Sequence, residues 1–104
     1  MEGFIRMARN IINWEWYTSK NEKILFFHCL LIANQSKNRW QGVEIDKGQF
    51  ISSIDNLSQQ TGLTIQNVRT AINNLILTGY ITKYSTNKYT LFTVNFYDEW
   101  IKED

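Results

Sequence analysis

The sequence has little of the chemistry that metal cages and disulfide scaffolds need. Its 104 residues contain one cysteine, Cys29, and one histidine, His28. A single cysteine excludes an internal disulfide and a multi-cysteine zinc site, and a single histidine excludes any two-histidine metal arrangement. We therefore predict no bound metal and no cofactor, and we expect a reduced, cytoplasmic compartment.

Long hydrophobic runs and a secretory signal are also missing. No apolar run reaches the roughly 18 to 20 residues that are needed to span a bilayer. Residues 1–6 do not begin the charged and then apolar pattern of a signal peptide. Both absences argue against a membrane partner and against secretion.

Negative charge is absent from one long stretch of the chain. Eleven Lys and Arg stand against ten Asp and Glu, so the net charge is only +1. Residues 56–97, however, contain Arg69, Lys83 and Lys88 and no acid. A surface built from this stretch would not repel phosphate. Chance in a composition rich in Asn, Thr and Gln is the alternative explanation.

Length and composition fit one folded domain over residues 1–104. In the first half, Ser19 and Glu22 have the spacing of a capping box at the start of a predicted helix. The predicted elements of this half are helices at 4–13 and 20–34, a polar loop at 35–41, and strand-like segments at 43–46 and 49–52.

A helix-turn-helix is predicted over about residues 54–78. Ser53 and Thr64 are N-cap candidates for its two helices. Gly62 and Gly79 suit the left-handed positions that follow helix ends. The motif has this spacing: two helices joined by a three-residue turn that contains glycine.

After Gly79 the hydrophobic period changes from helical to alternating. Residues 80–94 predict two strands around a tight turn at Thr86 and Asn87, which together form a hairpin or wing. Residues 96–102 predict a short helical tail. The predicted fold class is therefore mainly α with a small β-hairpin (α+β), in the form of a winged helix-turn-helix with an N-terminal helical extension.

The second helix of the motif is predicted to have an outward side without carboxylates. At about 100° per residue, one stripe packs inward, and its members are Ile65, Val68, Ile72, Leu75 and Ile76. The opposite side carries amide, hydroxyl and guanidinium groups, which suit base edges and phosphates, and hairpin lysines suit the DNA backbone. The predicted DNA-binding residues are Thr64, Gln66, Asn67, Arg69, Thr70, Asn73, Asn74, Lys83, Asn87 and Lys88.

A solvated helix surface is the alternative for this face. Asn, Thr and Gln, however, are poorer helix formers than the Glu and Lys that usually fill an exposed helix. Poor propensity on an exposed face needs a reason, and binding supplies one.

Aromatic residues are abundant, with six Phe, five Tyr and four Trp. They interleave with aliphatic positions, which favours a core or a subunit interface over stacking on single-stranded bases. Because Trp is enriched at interfaces, Trp14, Trp16 and Trp40 are the candidates for an oligomer interface. His28 and Cys29 are neighbours on a buried helix and do not face each other, so we predict no catalytic site and no enzyme.

Short stretches in order along nearly the whole chain carry a family resemblance. They are WEWY at 14–17, LLIAN at 30–34, WQGVEI at 40–45, KGQFISS at 47–53, LSQQTGLT at 57–64, VRTAINNL at 68–75, TGYI at 78–81 and STNKYT at 85–90. With these stretches the chain resembles the N-terminal winged-helix domain of DnaD-type primosome proteins and related phage replisome-organiser proteins. Their order is more specific than any one of them.

This resemblance implies a module that helps to load a replicative helicase or to organise a phage origin. Relatives self-associate through this domain, and many carry a second, helical DNA-binding domain, so we expect a fragment or a free-standing relative. The expected partners are DNA, further copies of the chain and other replication proteins. Two other functions stay open: a protein-interaction or oligomerisation scaffold without intrinsic DNA binding, and a transcriptional regulator of the same fold.

Overall fold

The computed structural model describes residues 4–102, so the first three and last two residues of the predicted domain lie outside the described part. This part contains four α-helices, one 3-10 helix and seven short strands. The helices are the 3-10 helix (Arg9–Asn13), α1 (Lys20–Ile32), α2 (Ile54–Thr61), α3 (Ile65–Leu77) and α4 (Tyr97–Trp100). The strands are β1 (Arg6–Met7), β2 (Asn38–Trp40), β3 (Val43–Ile45), β4 (Gln49–Ser52), β5 (Ile81–Ser85), β6 (Thr90–Val94) and β7 (Ile101–Lys102).

The predicted fold class, mainly α with one hairpin in a winged-helix arrangement, is wrong. The seven described strands form three small antiparallel sheets, β1-β7, β2-β3 and β4-β6-β5, so residues 4–102 have a mixed α+β fold in which no clear winged helix is present. The expected hairpin is not a separate appendage, because its second strand, β6, is the centre of a three-stranded sheet. The pairings β1-β7 and β4-β6 join segments that are far apart in the sequence. Local hydrophobic periodicity cannot reveal such long-range pairings.

Local capping chemistry explains the position of α2 and α3. The Ser53 hydroxyl accepts a hydrogen bond from the Asn56 backbone nitrogen at 3.1 Å, and the Thr64 hydroxyl accepts one from the Asn67 nitrogen at 3.0 Å. Gly62, with φ of 80°, ends α2 in the left-handed region. The predicted bounds 54–61 are confirmed for α2, and α3 ends one residue before the predicted 78.

Other predicted elements differ from the structure. The expected helix at 4–13 is strand β1 followed by the 3-10 helix, because residues 6–7 pair with residues 101–102 instead of coiling. Strand β2 lies inside the expected loop at 35–41, and the expected tail helix ends in β7. Ser19 makes no side-chain cap, so the predicted capping box with Glu22 does not form.

The core lies where α1 packs on α3 and where an aromatic cluster joins four segments. Trp14 packs on Phe26 of α1, Tyr80 and Trp100, with ring centroids 4.5, 5.4 and 6.2 Å away. Phe26 is completely buried. Burial of an aromatic side chain contributes on the order of 2 kcal/mol, so this cluster fixes the N-terminal segment and α4 onto α1 and the start of β5.

A close approach of two backbones fixes Gly48 beside the central sheet. Its φ is 83°, its nitrogen donates to the Asn34 carbonyl at 2.7 Å, and its carbonyl accepts from the Val94 nitrogen at 2.8 Å. A Cβ at this position would lie 3.0 Å from Cβ of Tyr97. A side chain here would therefore meet both backbone strain and a steric clash.

We expect Gly48→Ala to lower the free energy of unfolding more than Gly42→Ala. Both glycines have φ of 83°, but a Cβ on Gly42 would meet nothing within 4 Å. The left-handed conformation should cost each variant about 1 kcal/mol, and the clash with Tyr97 should cost Gly48→Ala about 1–3 kcal/mol more. Urea denaturation of the two variants measures the difference, and equal losses would contradict the clash.

Candidate nucleic-acid interface

The outward side of α3 is open to solvent along most of its length. The residues of this side that are exposed are Thr64, Gln66, Arg69, Thr70 and Asn73, and Asn67 is half-buried. Gln66 donates through Nε2 to the Thr70 hydroxyl at 3.3 Å, which orders two of these side chains along the helix. The predicted inward stripe is correct at Val68, Ile72 and Leu75, whereas Ile65 is 43% exposed.

A cleft of about 210 Å³ brings together three of the predicted residues from two elements. Arg69 and Asn73 of α3 stand on one side and Lys83 of β5 on the other, over an apolar floor of Ile54 and Ile72. We call it the Arg69 cleft. Within residues 4–102, neither the Arg69 nor the Lys83 side chain has a hydrogen-bond or ion-pair partner, so both cations are free to meet an anion.

Asn74 lies away from this cleft. Its Nδ2 donates to Oε2 of Glu22 on α1 at 2.8 Å, and Glu22 is 9% exposed. The predicted DNA-binding role of Asn74 is therefore replaced by a structural one, because its amide satisfies a buried carboxylate between α1 and α3. The sequence pattern missed this pair because its members are 52 residues apart.

The loop between β5 and β6 holds the two remaining predicted residues, Asn87 and Lys88. Four residues join the end of β5 to the start of β6, where the sequence predicts a two-residue turn, and the Thr86 backbone N–H donates to the Tyr89 carbonyl across this loop at 2.8 Å. The Thr86 hydroxyl accepts from the backbone nitrogens of Lys88 and Tyr89, each at 3.1 Å. This local network fixes the loop while both Asn87 and Lys88 stay exposed.

That loop forms one wall of a second, larger cleft of about 430 Å³. We call it the Trp40 cleft, and its lining residues are Trp40, Ile51, Ser52, Ser53, Asn56, Thr86, Asn87, Lys88, Tyr89 and Thr90. The sequence gives only one sign of this cleft, a tryptophan in an otherwise polar stretch. Both clefts border the first turn of α2, which contains one exposed carboxylate, Asp55, that lines neither cleft.

The three tryptophans expected at an oligomer interface differ in exposure. Trp14 is 6% exposed in the aromatic cluster, so it belongs to the core rather than to an interface. Trp16 is half-buried and donates Nε1 to the Thr78 hydroxyl at 3.0 Å. Trp40 is half-buried, with its ring edge-on to Tyr89 at 5.8 Å between centroids. Of these three tryptophans, Trp16 and Trp40 are therefore the two that are not buried.

The Cys29 thiol is completely buried in α1, and this burial raises its pKa to about 12. His28 turns elsewhere, with Nε2 2.8 Å from the side-chain oxygen of Gln60. Across residues 4–102, no three His, Cys, Asp or Glu side chains gather where they could hold a metal ion. None of the helices in this part is long and apolar enough to cross a membrane.

Comparison with known proteins adds no family to this picture. No family model, curated protein or solved structure matches this chain. The resemblance to DnaD-type proteins therefore stays a prediction, and the support for a function comes from the geometry of the two clefts.

We expect Asn74→Ala to destabilise the protein and to leave any binding of DNA unchanged. Removing the amide leaves the buried Glu22 carboxylate without its donor, which should cost about 1.5–3 kcal/mol. Asn73→Ala is the matched control, because Asn73 is exposed and its loss should change stability by less than about 0.5 kcal/mol. Thermal unfolding together with a DNA-binding assay on both variants separates the two roles. Equal stability of the two variants would contradict the assigned role of Asn74.

We expect the stability advantage of wild type over Cys29→Ala to shrink as pH rises above about 8.5. In the unfolded chain the thiol ionises near that pH, whereas the folded thiol keeps its proton to about 12. The unfolded state then binds fewer protons, so wild-type stability falls by up to about 1.4 kcal/mol per pH unit. Burial and Glu15 also raise the pKa of Tyr80. Because Tyr80 is present in both proteins, its contribution cancels in the difference between their stabilities. A pH-independent difference would contradict the burial of Cys29.

Proposed function

We propose that this chain is a DNA-binding module that docks on duplex DNA through the outward side of α3 and the adjacent face of β5. The observation that carries the proposal is the Arg69 cleft, where Arg69, Asn73 and Lys83 converge from two elements with both cations uncommitted. A solvated surface gives no reason for this convergence. Two cations at one cleft are suited to neighbouring phosphates of a strand.

The charge distribution supports this docking mode. Residues 56–97 supply both walls of the Arg69 cleft and contain no carboxylate, so an approaching phosphate meets no fixed negative charge on α3, β5 or β6. The exposed amides of Gln66 and Asn73 can pair with adenine edges, and Arg69 can pair with guanine. The Asn67 backbone nitrogen is not available to phosphate, because the Thr64 hydroxyl already caps it.

Few bases mean modest affinity for one copy of the chain. Three to five phosphate contacts would give a slope of about −3 to −4 for log K against log salt. Binding by two linked copies would raise the overall affinity by orders of magnitude without any new contact. We therefore propose self-association as part of the function, through the surface that carries Trp16, which lines neither cleft.

The biological setting that we propose is initiation of DNA replication in the cytoplasm, alongside other replication proteins. Its support is the resemblance to DnaD-type primosome and phage replisome-organiser proteins and the single free thiol. The DNA-binding proposal stands on the cleft geometry and does not need this setting.

A protein-interaction scaffold is the second candidate. It is favoured by large apolar side chains left in solvent, which a docking partner would cover. The most exposed of them are Leu77 at 83%, Phe4 at 80%, Phe96 at 64% and Leu31 at 62%. In this alternative the chain oligomerises or binds a partner protein without binding DNA itself.

We expect Arg69→Ala/Lys83→Ala to weaken binding to a fluorescent duplex and to reduce the salt slope by about two, one for each lost phosphate contact. Lys20→Ala/Lys37→Ala is the matched control, since it removes the same charge from exposed positions that line neither cleft. Fluorescence anisotropy at several salt concentrations measures both quantities.

Three outcomes of this experiment are decisive. A loss confined to the Arg69/Lys83 variant supports the site. Equal losses in both double variants would mean that net charge alone attracts the DNA, and the assigned face would be rejected. No binding by wild type even at low salt would leave the scaffold function as the better account.

A further inference from the structure

The Trp40 cleft has the size of a small-ligand site and is open to solvent. Its volume of about 430 Å³ lies within the usual range of roughly 300–1,000 Å³ for such sites. Three separate segments wall it: Trp40 at the end of β2, Ser52 and Asn56 where β4 passes into α2, and the loop that carries Lys88. The pairing of Ser52 with Thr90 in the β4-β6 ladder holds the second and third walls together.

One wall is aromatic and rigidly supported. The Trp40 ring is half-buried, with its plane tilted 67° to the ring of Tyr89. Such edge-on packing orients an aromatic ring firmly. An indole ring held at the wall of an open cleft is a platform on which a planar ligand can stack.

The other walls carry uncommitted polar groups and no negative charge. Within the described part of the chain, the side chains of Asn56, Asn87 and Lys88 have no hydrogen-bond partner. They can offer two amides and one ammonium to a ligand, which suits base edges and a phosphate.

The nearest acid along β2 and β3 points away from the cleft. Glu44 pairs with Arg39 in the β2-β3 ladder, whereas Trp40 pairs with Val43. Because successive side chains of a strand point to opposite faces, Arg39 and Glu44 lie on the face opposite Trp40. The cleft therefore combines a stacking ring, amides and one cation without a carboxylate in its lining.

We propose that the Trp40 cleft binds one unpaired base of a single-stranded DNA segment, with the base stacked on Trp40 and its phosphate at Lys88. In a duplex each base is stacked on both faces, so only an unpaired base can offer a face to the indole. A peptide would find no carboxylate in the lining to pair with its own cations. The inference rests on the proposed function in one respect, namely that the ligand is DNA.

The position of the cleft connects it to the proposed duplex site. Ile54 borders the Arg69 cleft, and Ser53 and Asn56 border the Trp40 cleft, so the two lie on either side of the first turn of α2. A strand that leaves a duplex docked on α3 would have this turn, with its exposed Asp55, between it and the Trp40 cleft. The two clefts together suit a junction between double-stranded and single-stranded DNA.

The test compares a fluorescent thymidine oligomer of about ten nucleotides, an abasic oligomer of the same length, and a duplex of that length. Trp40→Ala should weaken binding of the thymidine oligomer about five-fold to a hundred-fold, which is the usual contribution of one stacked base. Binding of the abasic oligomer and of the duplex should change by less than about two-fold. Trp40→Phe keeps a stacking ring and should restore most of the affinity.

Phe4→Ala is the control for loss of an exposed aromatic ring that does not line the cleft. Wild-type protein gives a readout that needs no folded variant: of the indole N–H signals in an NMR titration with the thymidine oligomer, that of Trp40 should shift most. An unmoved Trp40 signal at saturation would overturn the proposal, and so would equal weakening of the thymidine and abasic oligomers by Trp40→Ala. If Trp40→Ala changes the mass of the protein assembly and weakens binding of all three ligands equally, Trp40 belongs to a subunit interface instead.

Failure of this inference and failure of the proposed function are distinguishable. If Arg69→Ala/Lys83→Ala loses duplex binding while Trp40→Ala binds the thymidine oligomer as tightly as wild type, only the site at the Arg69 cleft is supported. A Trp40-dependent single-strand signal without any duplex binding would leave only the Trp40 cleft.

Discussion

The two-sided pairing of β6 is the constraint on which the candidate surface depends. One edge of β6 pairs with β4 and the other with β5. Strand β4 leads through Ser53 directly into α2, so the sheet fixes where α2 begins relative to the hairpin. A hairpin free to swing on its own would hold neither Lys83 beside α3 nor Lys88 opposite Trp40. The three-stranded sheet therefore fixes the positions of Lys83 and Lys88 relative to α3 and to Trp40.

The helical half of the molecule supplies the second part of this rigidity. Helix α3 is held on α1 by buried apolar side chains and by the amide of Asn74 on the Glu22 carboxylate. A buried carboxylate is costly unless its oxygens are satisfied, so this contact orients α3 about its own axis as well as anchoring it. The orientation leaves Arg69 and Asn73 outward and Asn74 inward, although all three lie within six consecutive residues.

Features governed by neighbours in the sequence could be predicted, and features governed by distant partners could not. The capping serine, threonine and glycine around α2 and α3 act within three or four residues, so their positions were clear from the pattern. The register of β5 with β6 follows from a short loop. The pairing of residues 6–7 with 101–102, and strand β2 inside a polar stretch, need partners that periodicity does not reveal, and with them the predicted fold class failed.

The same distinction applies to the candidate site. Arg69, Asn73 and Lys83 were identified from charge and helix geometry, and the structure brings them to one cleft. Asn74 was misassigned because the helical periodicity of α3 does not reveal its contact with Glu22. Trp14 was misassigned because its ring partners lie in α1, in α4 and at Tyr80, one residue before β5. The Trp40 cleft was missed since its walls come from three segments, none of which is distinctive alone.

The short ladder between β1 and β7 has a mechanical consequence. Arg6 is the strand partner of Lys102, and Met7 is the partner of Ile101, so the chain enters and leaves the fold at one point on its surface. A force applied through residues 6 and 102 would separate these two residue pairs first, before it acts on the three-stranded sheet. A segment attached at this point could therefore open the β1-β7 pairs while the sheet that supports the two clefts stays formed.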